Sequence, residues 1–230
     1  MTPTSIRALT LDLDDTLWPI APAILRAEQV LHAWLQDQAP LTARRFDMGA
    51  LRAKRDEVSR THAHIAHDFT AVRRESLRLA LLEAGDDDSL ADAAFEVFFA
   101  ARHELEFYPE VEQALQRIAC RYPLLALTNG NADIARTSLG PLFRGTISAR
   151  EFGVGKPDPR IFLEACRRLG CAPDEVLHVG DDLELDVRGA QSAGLQTFWL
   201  RRADCAAGAM PQDDVSTVAC LQTLADRLGC

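Results

Sequence analysis

Nine side chains in this sequence have the types and spacing to do chemistry together. Asp12, Asp14 and Thr16 follow a short apolar run. Thr128 and Asn129 follow a second, and Lys156 stands in Gly153-Val154-Gly155-Lys156-Pro157-Asp158. Asp181, Asp182 and Asp186 follow Gly180 at the end of another. Hard divalent cations take oxygen ligands, commonly two carboxylates completed by water and a substrate phosphate. Asp12 and Asp181 can share one such ion if their strands are neighbours, with Asp186 behind them. Without a cation, so many carboxylates in one place repel each other and raise their own pKa values. Asp12 and Asp14 reach one cleft at a strand end, one fit to attack as a nucleophile and the other to serve as acid and base. Thr16 is placed to brace the loop through its hydroxyl.

A carboxylate attacking a phosphate dianion meets a repulsion of about 8 kcal/mol at ~4 Å and an effective dielectric of ~20. A divalent metal and Lys156 together bring three positive charges against it. Thr128 and Asn129 can donate hydrogen bonds to transferred oxygens. Phosphoryl transfer depends mainly on such positioning and charge stabilisation. Lys54 and Lys156 are the chain's two lysines among 25 basic residues. Lysine and arginine are not interchangeable ligands, which singles out Lys156.

These residues must be positioned by a framework, and the pattern shows one. Residues 6–13, Leu124–Leu127, Thr146–Ser148, Val176–Val179 and Thr197–Leu200 are short apolar runs bounded by Pro, Gly or Asp, as buried parallel strands are. Helical periods lie near 110–121, 131–138, 158–169, 184–193 and 218–228. Alternating strand and helix predicts an α/β fold with an open, Rossmann-like parallel sheet and right-handed crossovers. Ligands bind such sheets at the carboxyl ends of the strands, where all nine residues fall. Residues 17–108 break the rhythm with helical periods alone, too long for a βα connection. They read as an inserted helical cap, entered at Pro19 and Pro22 and left at Pro109. The core is then 1–16 and 109–230. Asp86-Asp87-Asp88-Ser89 reads as a turn with a helix cap near its end, and Phe95, Phe98 and Phe99 as cap core.

The chain has 230 residues, 47% hydrophobic and 26% charged, which excludes a disordered or low-complexity state. Its formal charge of −9 gives no general attraction for nucleic acid or anionic lipid. No apolar stretch approaches the roughly 18 residues of a membrane span, and acids at Asp12, Asp14 and Asp15 interrupt any signal-peptide core. The six cysteines, Cys120, Cys166, Cys171, Cys205, Cys220 and Cys230, form no framework. They read as reduced, with a pairing near the end as the minority alternative, and the expected compartment is the cytoplasm.

The four motifs together resemble the haloacid dehalogenase superfamily. Its D-x-D-x-T is Asp12-Leu13-Asp14-Asp15-Thr16, its Ser/Thr is Thr128, its Lys is Lys156, and its G-D-x(4)-D runs from Gly180-Asp181 to Asp186. The resemblance implies Asp12 as nucleophile and Asp14 as acid and base. It implies magnesium held by Asp12, the backbone carbonyl of Asp14 and Asp181, with Asp182 and Asp186 behind. Thr128, Asn129 and Lys156 would bind the phosphoryl group, and the cap would close over the substrate. The founding dehalogenases lack an acid at the position of Asp14, so this chain departs toward the phosphatases. Its substrate is then a small-molecule phosphate ester. Leu11–Leu17, Thr128–Ala132, Leu177–Asp182 and the His67-Asp68-x-Thr70…Arg74 stretch are similar to bacterial phosphatases of FMN and of the ribitylaminouracil phosphate of riboflavin synthesis. Another small ester (phosphoglycolate or a sugar phosphate), a phosphomutase, and a non-catalytic binding protein are the alternatives.

Trp18, His67 and Arg74 are the candidate specificity contacts, Trp18 being either a hinge-packing residue or a stacking wall. His62, His64 and His67 read as a solvated or substrate-facing segment rather than a zinc site, and His178 as a satisfied core histidine. The expected assembly is a monomer or homodimer.

Overall fold

The computed structural model describes residues 5–202 and 216–230. Cys205 lies outside the described residues. The chain divides into two compact units, residues 1–19 with 107–230, and residues 20–106.

The first unit is built on a six-stranded sheet in the order β3-β2-β1-β4-β5-β6. The strands are β1 (Ala8–Leu11), β2 (Leu124–Thr128), β3 (Phe143–Ser148), β4 (Val176–Gly180), β5 (Gln196–Leu200) and β6 (Thr217–Val218). Every neighbouring pair is parallel, so the open parallel sheet predicted from the apolar runs is present. β1, β2 and β4 are buried throughout, which is why they read as largely apolar text, interrupted only by Thr10, Thr128 and His178. Register pairs Thr10 with His178 and Leu11 with Val179.

Side chains alternate along a strand, so Ala8 and Thr10 share a face. On that face Ala8, Leu125, Leu127, Ile147 and Val176 form one cluster with Ile161, Phe162 and Ala165. The last three belong to an amphipathic helix, Pro159–Leu169, which begins three residues after Lys156. Asp158 caps it by accepting the N–H of Arg160.

The second unit is helical among its described residues: α1 (Ile20–Gln38), α2 (Pro40–Arg45), α3 (Met48–Thr61), α4 (Phe69–Ala84) and α5 (Ala91–Arg102), with a short turn at Asp88–Leu90. Leu31, Leu35, Leu77, Leu81, Phe95 and Phe98 make its core. Asp68 caps α4 and Asp87 caps the Asp88–Leu90 turn.

Two predicted details differ. Residues 131–138 form no α-helix. Asp133 caps Ala135, and the Thr137 hydroxyl bonds back to the Ile134 carbonyl, closing a single turn at Ile134–Arg136 before Gly140-Pro141 starts another. The segment 184–193 is a wide helical turn, Leu183–Arg188, followed by Gly189–Ser192. The five cysteines among the described residues are all free thiols, Cys220 and Cys230 included.

Candidate active site

Parallel order brings β1, β2 and β4 side by side, so their carboxyl ends deliver Asp12, Thr128 and Asp181 to one rim. Asp12 leaves β1 with its N–H on the Val179 carbonyl at 2.9 Å, and its side chain is nearly buried. Asp15 then takes a left-handed φ of 59°, a conformation aspartate tolerates better than most residues. Its N–H closes onto the Trp18 carbonyl at 2.8 Å. The turn is further held by Arg202, which donates to the Thr16 carbonyl from Nη2 at 2.6 Å and Nε at 3.2 Å, and pairs with Glu110 at 2.7 Å.

Lys156 is the hub of the site. Its buried ammonium bonds Asp12 Oδ1 and, at 2.6 Å, Asp186 Oδ1. Asn129 fixes the lysine's backbone, donating from Nδ2 to the Lys156 carbonyl at 2.8 Å and accepting the Lys156 N–H at 2.7 Å. Asn129 thereby orients the lysine, a contact that spacing alone does not show. A Cβ on Gly155 would come within 2.5 Å of Asn129 Oδ1, so only glycine permits that clamp. The Lys156–Pro157 peptide is cis. Thr128 is buried, and its Oγ1 accepts the Gly130 N–H at 2.9 Å, which leaves its hydroxyl proton to donate.

The Thr16 hydroxyl reaches Asp181 Oδ1 at 2.9 Å and Asp12 Oδ2 at 3.5 Å. Carboxylate oxygens of Asp12, Asp181 and Asp186 lie within 4.8 Å of one another. Three acids around one lysine leave an excess of negative charge in a buried place. Burial, followed by the charges of Asp186 and Asp181, drives the Asp12 carboxyl well above its ordinary value, against the pull of Lys156. Burial and Asp186 push Asp181 up to about 6. Asp186 goes the other way. Burial opposes its charge, but Lys156 and His178 together hold it below the usual carboxylate range. Lys156 is held above its ordinary value by the two acids, despite its burial.

An all-oxygen donor set with surplus charge fits a hard cation. Asp12 and Asp181 are the acids available to it. Asp186 is occupied, Oδ1 by Lys156 and His178 and Oδ2 by the Asp182 N–H at 3.0 Å. The Asp182 carboxylate caps the turn Leu183–Arg188 from outside, accepting the N–H groups of Glu184 and Leu185 at 2.8 Å.

Asp14 accepts the Trp18 indole N–H on Oδ1 at 2.8 Å. Trp18 is fully buried, its ring 5.8 Å from that of Phe107. In the helical unit, Arg74 is neutralised by Glu96 at 2.9 Å and Asp92 at 3.5 Å and lies over the Phe95 ring. His67 is half-buried just before the α4 cap. His62 and His64 line an open groove with Arg74, Arg78 and Asp92. None of the three histidines belongs to a metal-binding group among the described residues.

Sequence reasoning missed a basic cluster in this unit. Glu28 is buried and pairs with Arg52 at 2.5 Å and Arg55 at 3.9 Å. Arg73, 3.6 Å over the Phe98 ring, is lowered to about 10, by burial first and then by Arg55, with Arg102 and Arg52 adding to the effect against Glu28. No spacing rule gathers residues from α1, α3, α4 and α5. The role of His178 was also hidden: it is buried, and bonds both Thr10 and Asp186.

Residues 6–194 match the family model described as haloacid dehalogenase-like hydrolase. The chain is 36% identical over 200 residues to the 5-amino-6-(5-phospho-D-ribitylamino)uracil phosphatase YigB of Escherichia coli, covering 85% of this chain and 84% of that protein. It is 39% identical over 147 residues to a phosphoserine phosphatase of Thermus thermophilus, covering 61% of this chain and 57% of that protein. The crystal structure titled 2-haloacid dehalogenase from Pseudomonas syringae superposes with a TM-score of 0.89 at 37% identity, over 97% of this chain and 98% of that one. With the motif residues gathered on one rim of the sheet, the chain belongs to the haloacid dehalogenase-like hydrolase family.

Proposed function

We propose that this chain is a magnesium-dependent phosphatase that hydrolyses a small-molecule phosphate monoester through a phosphoaspartate at Asp12. The observation that carries the reading is the Asp12 carboxylate held by Lys156 beside Asp181, with a second acid, Asp14, two residues on. An Asp12 oxygen attacks phosphorus as the ester oxygen leaves, and Asp14 gives that oxygen its proton. Asp14 then takes a proton from water as the water attacks phosphorus, releasing inorganic phosphate and restoring Asp12. Lys156 and the Thr128 hydroxyl stabilise the charge on the transferred oxygens. Asp12 and Asp181, with the Asp14 carbonyl that the family resemblance adds, would hold magnesium, which would neutralise charge between carboxylate and phosphate.

FMN or the ribitylaminouracil phosphate is the substrate we favour, on the identity to the uracil phosphatase over most of both chains and on the shared text Leu11–Leu17 and Thr128–Ala132. The kinship to a structure titled as a dehalogenase favours a second reading, halide displacement. A metal-fitting acid pair and a second carboxylate at Asp14 have no use in that reaction.

The test is phosphate release from a panel holding FMN, the ribitylaminouracil phosphate, phosphoglycolate and sugar phosphates, with magnesium and with EDTA, beside halide release from a 2-haloacid. Magnesium-dependent phosphate release with no halide release supports the reading, and the ester with the highest kcat/KM names the substrate. Halide release, or phosphate moved between sugar hydroxyls without accumulating, overturns it.

A further inference from the structure

Behind Lys156 lies a buried polar chain that the chemistry above does not use. Thr10 and His178 are register partners on β1 and β4, and both are buried. Thr10 Oγ1 lies 2.8 Å from His178 Nδ1. His178 Nε2 lies 3.1 Å from Asp186 Oδ1, and that oxygen is 2.6 Å from Lys156 Nζ. The Phe162 ring meets the imidazole edge-on at 5.1 Å, which closes that side to water.

The donors and acceptors admit one assignment. A carboxylate that holds Lys156 is an acceptor only, so Nε2 carries the proton. Nδ1 is then a lone pair, and the Thr10 hydroxyl donates to it. Asp186 is thereby tied on both oxygens, by His178 at Oδ1 and by the Asp182 N–H at Oδ2. A carboxylate so fixed has one place to hold the lysine ammonium.

We propose that His178, seated on Thr10, is a positioning residue that fixes the Asp186 carboxylate and through it the Lys156 ammonium against Asp12. This rests on the phosphatase reading for its effect on rate, though not for its geometry. Ligand-orienting partners one shell removed from the chemistry carry about 10- to 100-fold of activity in comparable sites.

The experiment compares His178→Leu, His178→Gln and Thr10→Val with the unaltered protein in steady-state kinetics on its best ester. Melting curves confirm that each variant is folded at the assay temperature. Nitrogen-15 spectra of the unaltered protein report the His178 tautomer. Expected are a kcat lowered about 10- to 100-fold in His178→Leu with little change in KM, and a smaller loss in Thr10→Val. His178→Gln, whose amide N–H can still reach Asp186, recovers most of the rate. The resting tautomer is protonated at Nε2. A lowered melting point with unchanged kcat, equal losses in the Leu and Gln variants, or a proton on Nδ1 overturns the proposal. If the unaltered protein turns over no ester, the phosphatase reading fails, and the tautomer alone decides the inference.

Discussion

The indole nitrogen of Trp18 lies 2.8 Å from Oδ1 of Asp14. The ring is fully buried, so this bond aims the carboxylate we propose as the acid and base of the reaction. A hydrogen bond to a charged group contributes about 1.5–3 kcal/mol. Trp18→Phe keeps the packing and removes the bond. We expect kcat to fall about tenfold or more with KM little changed, since each ~1.4 kcal/mol is tenfold in rate. Steady-state kinetics checks it. An unchanged kcat in the folded variant would show that Asp14 is held by other means.

Gly180 is needed because Asp186 passes directly over it. A Cβ there would overlap the Asp186 carboxyl carbon. Gly180→Ala must therefore displace Asp186 and loosen Lys156, at an overpacking cost of about 1–3 kcal/mol. The expected result is a lower melting temperature together with a kcat loss like that of Asp186→Asn. A variant with full activity would contradict the role given to Asp186.

Crowded carboxylates predict how stability responds to metal. Asp181 is destabilised by burial and by Asp186, so Asp181→Asn should raise the melting temperature of the metal-free protein. Magnesium should stabilise the unaltered protein, by about 2.7 kcal/mol at a hundred times its dissociation constant. The same addition should leave Asp181→Asn almost unmoved. Calorimetry with magnesium and with EDTA checks both. A magnesium shift that survives in Asp181→Asn would place the ion elsewhere.

Glu110 gives a pH signature away from the reacting centre. Burial favours its neutral form, but Arg202, 2.7 Å away, and backbone donors outweigh this and hold its carboxyl below the ordinary value of 4.5. A folded pKa below the unfolded one stabilises the fold above the unfolded value, and that stability is lost as pH falls through the folded value. Glu110→Gln should therefore lower the melting temperature at pH ~7, and the gap should close as pH drops below about 4.5. A gap that is constant with pH would assign the effect to packing.

Much of this site was written in short text. Asp12, Thr128 and Gly180-Asp181 follow apolar runs that form β1, β2 and β4, because parallel strands buried on both faces tolerate little else. That β1 lies next to β4 was a condition of the sequence reading, and the strand order meets it. What stayed hidden was what each polar group chose as partner. Asn129, expected as a phosphate donor, also grips the Lys156 peptide, a contact made across 27 residues. His178 looked like any core histidine, because its partners Thr10 and Asp186 meet it only once β1 and β4 are paired and the chain has turned back through Leu183–Arg188. β6, two residues long, is too short to carry a periodic signal.

The central claim is that Asp12 carries the phosphoryl group. The most direct measurement mixes the protein with magnesium and its best ester, quenches within the steady state, reduces with borohydride and maps the peptides by mass spectrometry. Borohydride converts a phosphoaspartate to homoserine. The account predicts homoserine at position 12 and nowhere else, none without ester, and a kcat lowered roughly 10³-fold or more in Asp12→Asn. Turnover with Asp12 never modified, or an Asp12→Asn variant that keeps its rate, would mean that water attacks phosphorus directly and would contradict it.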